Sequence, residues 1–212
     1  RGVNCGQLAD IAALLFQHDH VISAMFQPAA YAGNAAHLAR PEDAMTIADD
    51  LQARQVLTAF APKSLLISAA DRMKMQVERA GLKLTIKCED GLPNIRADKS
   101  RLEQVLVNLI HNAVKFTEKG SVAVRFLKQG TDFWEIQVID TGIGIPPDAQ
   151  KRVFEAFEQV NSMENSTQNG FGLGLSIVAK LTSLMNGKIK LESEAGKGCT
   201  FIVILPLKES LK

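Results

Sequence analysis

The stretch SRLEQVLVNLIHNAVKFT, residues 100–117, sets two side-chain amides four residues apart, an imidazole between them and an ammonium three residues further on. On a helix at about 100° per residue, Gln104, Asn108, His111, Asn112 and Lys115 share one stripe. Leu102, Val105, Leu106, Leu109, Ile110 and Ala113 share the adjoining one. An amide oxygen is a hard ligand for Mg²⁺, which keeps several waters and takes few protein ligands beside substrate phosphates. An ammonium is a point charge suited to phosphate oxygens. The polar stripe can therefore wall a nucleotide site, or it can be the solvated face of an amphipathic helix. Ser100 followed by Glu103 reads as a capping box at the helix start.

Two glycine-rich stretches lie downstream. Asp140-Thr141-Gly142-Ile143-Gly144-Ile145-Pro146 ends a strand. Gly142 and Gly144 let the backbone approach a ligand closely. Asp140, at the mouth of a sheet, can accept from an exocyclic amine such as adenine N6, a contact that discriminates between bases. The alternative is an Asp that hydrogen-bonds its own turn. Gly170-Phe171-Gly172-Leu173-Gly174-Leu175 opens a helix, where spaced N–H groups and the dipole favour phosphate. The competing reading is a loop hinge. Between the two stretches, residues 147–169 turn polar after Phe157, as suits a mobile flap. Phe154 and Phe157 would anchor it, or form the core face of a short helix.

The elements that must position these residues follow from periodicity. Residues 4–26 carry Leu8, Ile11, Leu15, Val21 or Ile22, and Met25 in the 3-4 alternation of a bundle seam. A second, less regular helical segment runs to about Ala59, so residues 1–62 read as a helical hairpin whose apolar face needs a partner, by dimerisation. Pro62 and Lys63 mark a boundary, after which a helix runs from Ser64 to Ala80 and closes at Gly81. Strands follow at residues 82–88, 121–128 and 133–139, with a short extended piece at 94–97. A helix from Gly174 is stopped by Gly187, and a hairpin at 188–193 and 199–205 turns at Gly196-Lys197-Gly198. Strand runs interleaved with helices and hairpin turns predict an α/β fold, a two-layer sandwich with a mixed sheet over residues 63–212.

The chain has 212 residues, 46% hydrophobic and 22% charged, with a net charge of +1. No basic block with interleaved aromatics is present, which argues against a nucleic-acid partner. Cys5, Cys88 and Cys199 lack zinc-like spacing and fit a reducing compartment as small buried hydrophobes. No apolar run reaches the 18 or so residues that span a bilayer. The chain reads as a cytoplasmic piece of something longer.

Order and spacing over residues 60–207 resemble the ATP-binding catalytic domain of sensor histidine kinases, in the Bergerat-fold family. NLIHNAVKFT looks like its N box, DTGIGIP its first glycine box, FEAFEQ its F box in the form of the hybrid kinases, and GFGLGL its second glycine box. The resemblance implies ATP and Mg²⁺ as cofactors. Asn112 would ligate the metal, Asn108 would support it, Lys115 would meet phosphate, and Asp140 would hold adenine N6. Gly142, Gly144, Gly170, Gly172 and Gly174 would shape the pocket and hinge its lid. It also implies a homodimer through the N-terminal helices, a response-regulator receiver domain as partner, and a membrane link only through upstream segments. Phe171 and Asn186 depart from the family's usual small residue and Gly. No family-type phosphoacceptor motif occurs. His18-Asp19 is the nearest match, so His18 is the phosphoacceptor candidate, although it continues the apolar seam as a packed histidine would. Relatives that hydrolyse ATP carry Glu four residues before the N-box Asn. Asn108 stands there and cannot act as a general base, so the expected reaction is phosphoryl transfer to histidine. A non-catalytic nucleotide-binding module and an ATP-driven machine are the alternatives.

Overall fold

The computed structural model describes residues 57–155 and 174–207. Their order is β1 (Leu57–Phe60), α1 (Pro62–Arg79), β2 (Lys83–Cys88), β3 (Ile95–Asp98), α2 (Lys99–Lys115), β4 (Ser121–Gln129), β5 (Phe133–Asp140), a 3-10 turn at Arg152–Phe154, α3 (Gly174–Leu184), β6 (Lys188–Glu194) and β7 (Gly198–Pro206). The five-stranded sheet runs β2-β4-β5-β7-β6. Only β2 and β4 pair in parallel. The mixed sheet and its helical layer match the two-layer α/β expectation.

Alternation on the strands decides where the core sits. Val122, Val124 and Phe126 on β4, Trp134, Ile136 and Val138 on β5, and Val203 and Leu205 on β7 are buried. Register aligns them in rows, Phe126 with Ile136 and Ile136 with Val203. The intervening Arg125, Glu135 and Gln137 keep solvent contact, as a half-buried sheet requires. Phe126 and Trp134 meet edge to face at 5.3 Å. The apolar stripe of α2 closes the core from the other side: Leu102, Val105, Leu106, Leu109 and Ile110 are fully buried.

Several local expectations are corrected. The helical segment read up to about Ala59 gives way to β1, because Leu57–Phe60 pairs antiparallel with β3 and sets Phe60 opposite Ile95, both buried. Long-range pairing here outweighs local periodicity. The α2 cap is Asp98 rather than Ser100. Its Oδ1 accepts from Arg101 N–H at 3.2 Å and its Oδ2 pairs with the same residue's guanidinium at 3.2 Å. Glu103 instead accepts from Ser68 Oγ and pairs with Arg72 at 3.4 Å, tying α2 to α1. At the end of α3 it is Asn186, φ 54°, that takes the left-handed position. Asn186 N–H donates to Ser183 O and Gly187 N–H to Thr182 O, a Schellman closure. Cys199 is buried as expected, whereas Cys88, at the end of edge strand β2, is half exposed.

Candidate functional site

The polar stripe of α2 is not a solvated face. Asn108 is 7% exposed, and Gln104, His111, Asn112 and Lys115 are each half-buried. Asn112 faces the start of α3: its Nδ2 and Oδ1 lie 3.7 and 3.9 Å from where a Cβ on Gly174 would stand. An amide thus sits against a helix N-terminus, where backbone N–H groups and the dipole favour an anion. Lys115, one turn on, pairs with no carboxylate among the described residues. Its ammonium lies 5.1 Å from the Phe116 ring centroid. Burial pushes the Lys115 ammonium below its ordinary value. Burial, and then the charge of Lys115, do the same for His111. A half-desolvated cation without a counterion is a place for an anionic ligand.

Across from it lies the loop that leaves β5. Asp140 is 6% exposed. Its Oδ1 accepts from Gly142 N–H at 2.9 Å and from Cys199 N–H at 3.2 Å. Burial raises the Asp140 carboxyl above its usual range, and the two backbone donors oppose that rise. The Asp therefore both braces its own turn and keeps a carboxylate at the sheet's end; the two readings of it are not exclusive. The loop touches α2 directly, since Ile143 N–H donates to Phe116 O at 3.2 Å. A Cβ on Gly142 would come within 2.2 Å of that same oxygen, so only glycine permits the approach. Gly144, φ 68°, presses on Glu194 O and would place a Cβ 2.0 Å from it.

The structure thus gathers Asn108, Asn112 and Lys115 on α2, Asp140, Gly142 and Gly144 on the β5 loop, and Gly174 at the start of α3. His18, Gly170, Gly172 and the polar flap of residues 162–169 lie outside the described residues, as does Phe157. Phe154 packs edge to face on Phe201 at 6.3 Å, which anchors the segment leading toward the flap. Phe116 was missed in the sequence reading. It is 47% exposed beside Lys115 and the glycine loop; an aromatic just past the last buried turn of a core helix is the signal that could have flagged it.

Among the described residues no three His, Cys, Asp or Glu side chains gather as a metal cluster. The donors on hand are the amide oxygens of α2. They fit an ion that takes few protein ligands and completes its shell with water and ligand phosphate, as Mg²⁺ does, and they do not fit a structural zinc site.

Comparison with known proteins gives the same direction. Residues 97–209, more than half of the chain, match the family described as histidine kinase-, DNA gyrase B- and HSP90-like ATPase. The circadian input-output histidine kinase CikA of Synechococcus elongatus is 40% identical over 134 residues, which are 63% of this chain and 18% of CikA. The sensor histidine kinase RcsC of Escherichia coli is 38% identical over 149 residues, 70% of this chain and 16% of RcsC. The chain therefore spans less than a fifth of the length of these curated relatives. Among solved structures, full-length ShkA in complex with AMPPNP is similar with a TM-score of 0.70 at 29% identity, covering 100% of this chain and 41% of that one. The catalytic domain of the histidine kinase ThkA gives 0.63 at 26% identity, covering 72% of this chain and 96% of that one.

Proposed function

Because the chain belongs to the histidine kinase-, DNA gyrase B- and HSP90-like ATPase family, we propose that it is the catalytic core of a sensor histidine kinase, binding Mg·ATP and passing its γ-phosphoryl group to a histidine. The observation that carries this reading is the meeting of Asn112 with the N-terminus of α3, beside an ammonium that pairs with no carboxylate among the described residues. Asp140 takes the adenine amine; both backbone donors use its Oδ1, so Oδ2 is the oxygen assigned to the base. Phe116 offers an apolar flank. Lys115 and the α3 N–H groups hold the phosphates. Asn112 is the protein ligand for Mg²⁺ with Asn108 behind it, and the bound ion neutralises phosphate charge. Gly170 and Gly172 complete the phosphate loop with Gly174.

Catalysis in such a site rests on positioning and charge neutralisation. Asn108 cannot abstract a proton from water, so hydrolysis is slow and the γ-phosphoryl waits for imidazole. His18 remains the acceptor candidate, in a hairpin of residues 1–62 that dimerises; a receiver domain takes the phosphoryl onward. The core works on the cytoplasmic side of a membrane-linked sensor. No helix among the described residues is long and apolar enough to cross a membrane.

Incubating the full-length protein with γ-labelled ATP tests the reading. Acid-labile, base-stable label on the protein, passed to a receiver domain, is the expected result. Steady phosphate release without label would instead make it an ATPase, and binding with neither would make it a regulatory module.

A further inference from the structure

We propose that Ser193 on β6 is the positioning residue that sets the adenine-reading carboxylate and the glycine loop as one unit; this rests on the nucleotide reading above. Its hydroxyl joins three chain segments. Ser193 Oγ donates to Gly198 O at 2.9 Å, accepts from Ile145 N–H at 2.8 Å, and lies 3.2 Å from Cys199 Sγ. A hydroxyl has one proton. With that proton on Gly198 O, the thiol is the donor left for this contact, and the same thiol also hydrogen-bonds the Asp140 carboxylate. Burial above all pushes the thiol up to about 11, so at neutral pH it keeps the proton it donates.

Cys199 is also the residue whose backbone N–H holds Asp140 Oδ1. A continuous path therefore links the loop at Ile145, through Ser193, to Cys199 and Asp140. Around it the fit is tight: Gly196 N–H donates to Ile143 O at 2.7 Å, and a Cβ on Gly198 would fall 2.0 Å from Asp140 O. Gln150 adds a second brace, its Nε2 donating to Ile145 O at 2.9 Å and to Ser193 O at 3.0 Å. Removing the Ser193 oxygen leaves Ile145 N–H without its acceptor and takes one partner from the Cys199 thiol, which also hydrogen-bonds Asp140, while the two backbone donors to Asp140 stay in place. The carboxylate's aim, rather than its presence, would change.

The test titrates the full 212-residue chain with Mg·ATP and Mg·GTP by calorimetry, alongside melting temperatures. Ser193→Ala is expected to weaken ATP binding about 10-fold, the scale of one lost hydrogen bond. GTP binding should be nearly unmoved, so that base preference narrows by the same factor. Ser193→Thr, which keeps the hydroxyl, should restore the preference. Ser193→Cys gives the same effect in smaller measure should the alanine variant not fold. Unchanged ATP binding in Ser193→Ala, or equal losses for both nucleotides, overturns the positioning role while leaving the nucleotide reading intact. A wild-type chain that binds neither nucleotide overturns both.

Discussion

Asp140 carries two duties that pull against each other. Its burial raises the folded-state carboxyl above its ordinary value. Between the ordinary and the raised value the folded protein binds more protons than the unfolded one, so stability falls as pH rises through that window. Asp140→Asn keeps an oxygen for the Gly142 and Cys199 N–H groups and removes the buried charge. It should melt at or above the wild-type temperature at pH 7, with the difference shrinking toward pH 4, and it should lose ATP affinity by about 100-fold or more, as sites that read a polar group do. Thermal scans at both pH values and one titration check this. Asn112 makes the complementary case. If its amide oxygen meets Mg²⁺, Asn112→Ala weakens Mg·ATP far more than metal-free adenosine; equal losses for the two ligands would remove it from the metal. Asn112, Lys115 and Asp140 could be picked out in the sequence as candidates, because side-chain chemistry and spacing single them out and the family resemblance assigns them roles. Phe116 and Ser193 were not, because their roles come from main-chain contacts between segments far apart in the chain.

At the scale of elements, α2 is the part on which core and site depend together. Its periodicity is strong enough that its apolar and polar stripes were both legible. Leu106, fully buried, should cost about 2–5 kcal/mol on truncation to Ala, read by denaturant unfolding. Helix ends were less legible, because caps depend on which neighbour wins a few hydrogen bonds. Asp98 wins over Ser100 at the start of α2 since it also holds the Arg101 guanidinium. At the end of α3, Asn186 and Gly187 divide what the sequence assigned to one glycine. Asn186 sits at φ 54°, so Asn186→Ala should cost about 1 kcal/mol while Asn186→Gly should be close to neutral. Gly187 is fixed by crowding instead: a Cβ there would meet Ile204 O and Leu205 Cδ2, both at 2.7 Å. Gly187→Ala should therefore cost about 1–3 kcal/mol through overpacking. If the two alanine variants exchange these behaviours, the closure of α3 has been misassigned.

Over the whole molecule, the mixed sheet was legible from alternating strands and glycine turns, since residues of period two can bury only one face. The ribbon of β1 and β3 was legible in part: the extended piece at 94–97 falls on β3, whereas β1 was read as helix, because a four-residue strand carries too little pattern and forms by pairing across the length of α1. What the fold accomplishes is convergence: the end of β5, the C-terminal half of α2 and the first turn of α3 meet at one place, and the β6–β7 turn locks the loop between them. On the proposed reading, phosphate-binding groups would stand on two helices and the base-reading group on the sheet, so binding should require all three. The measurement that bears most directly on this is a calorimetric titration of the full chain with ATP and GTP, with and without Mg²⁺. One ATP per chain, bound at least about 100-fold more tightly than GTP and strengthened by Mg²⁺, is the predicted result. Equal affinity for the two nucleotides, or no binding of either, would contradict it.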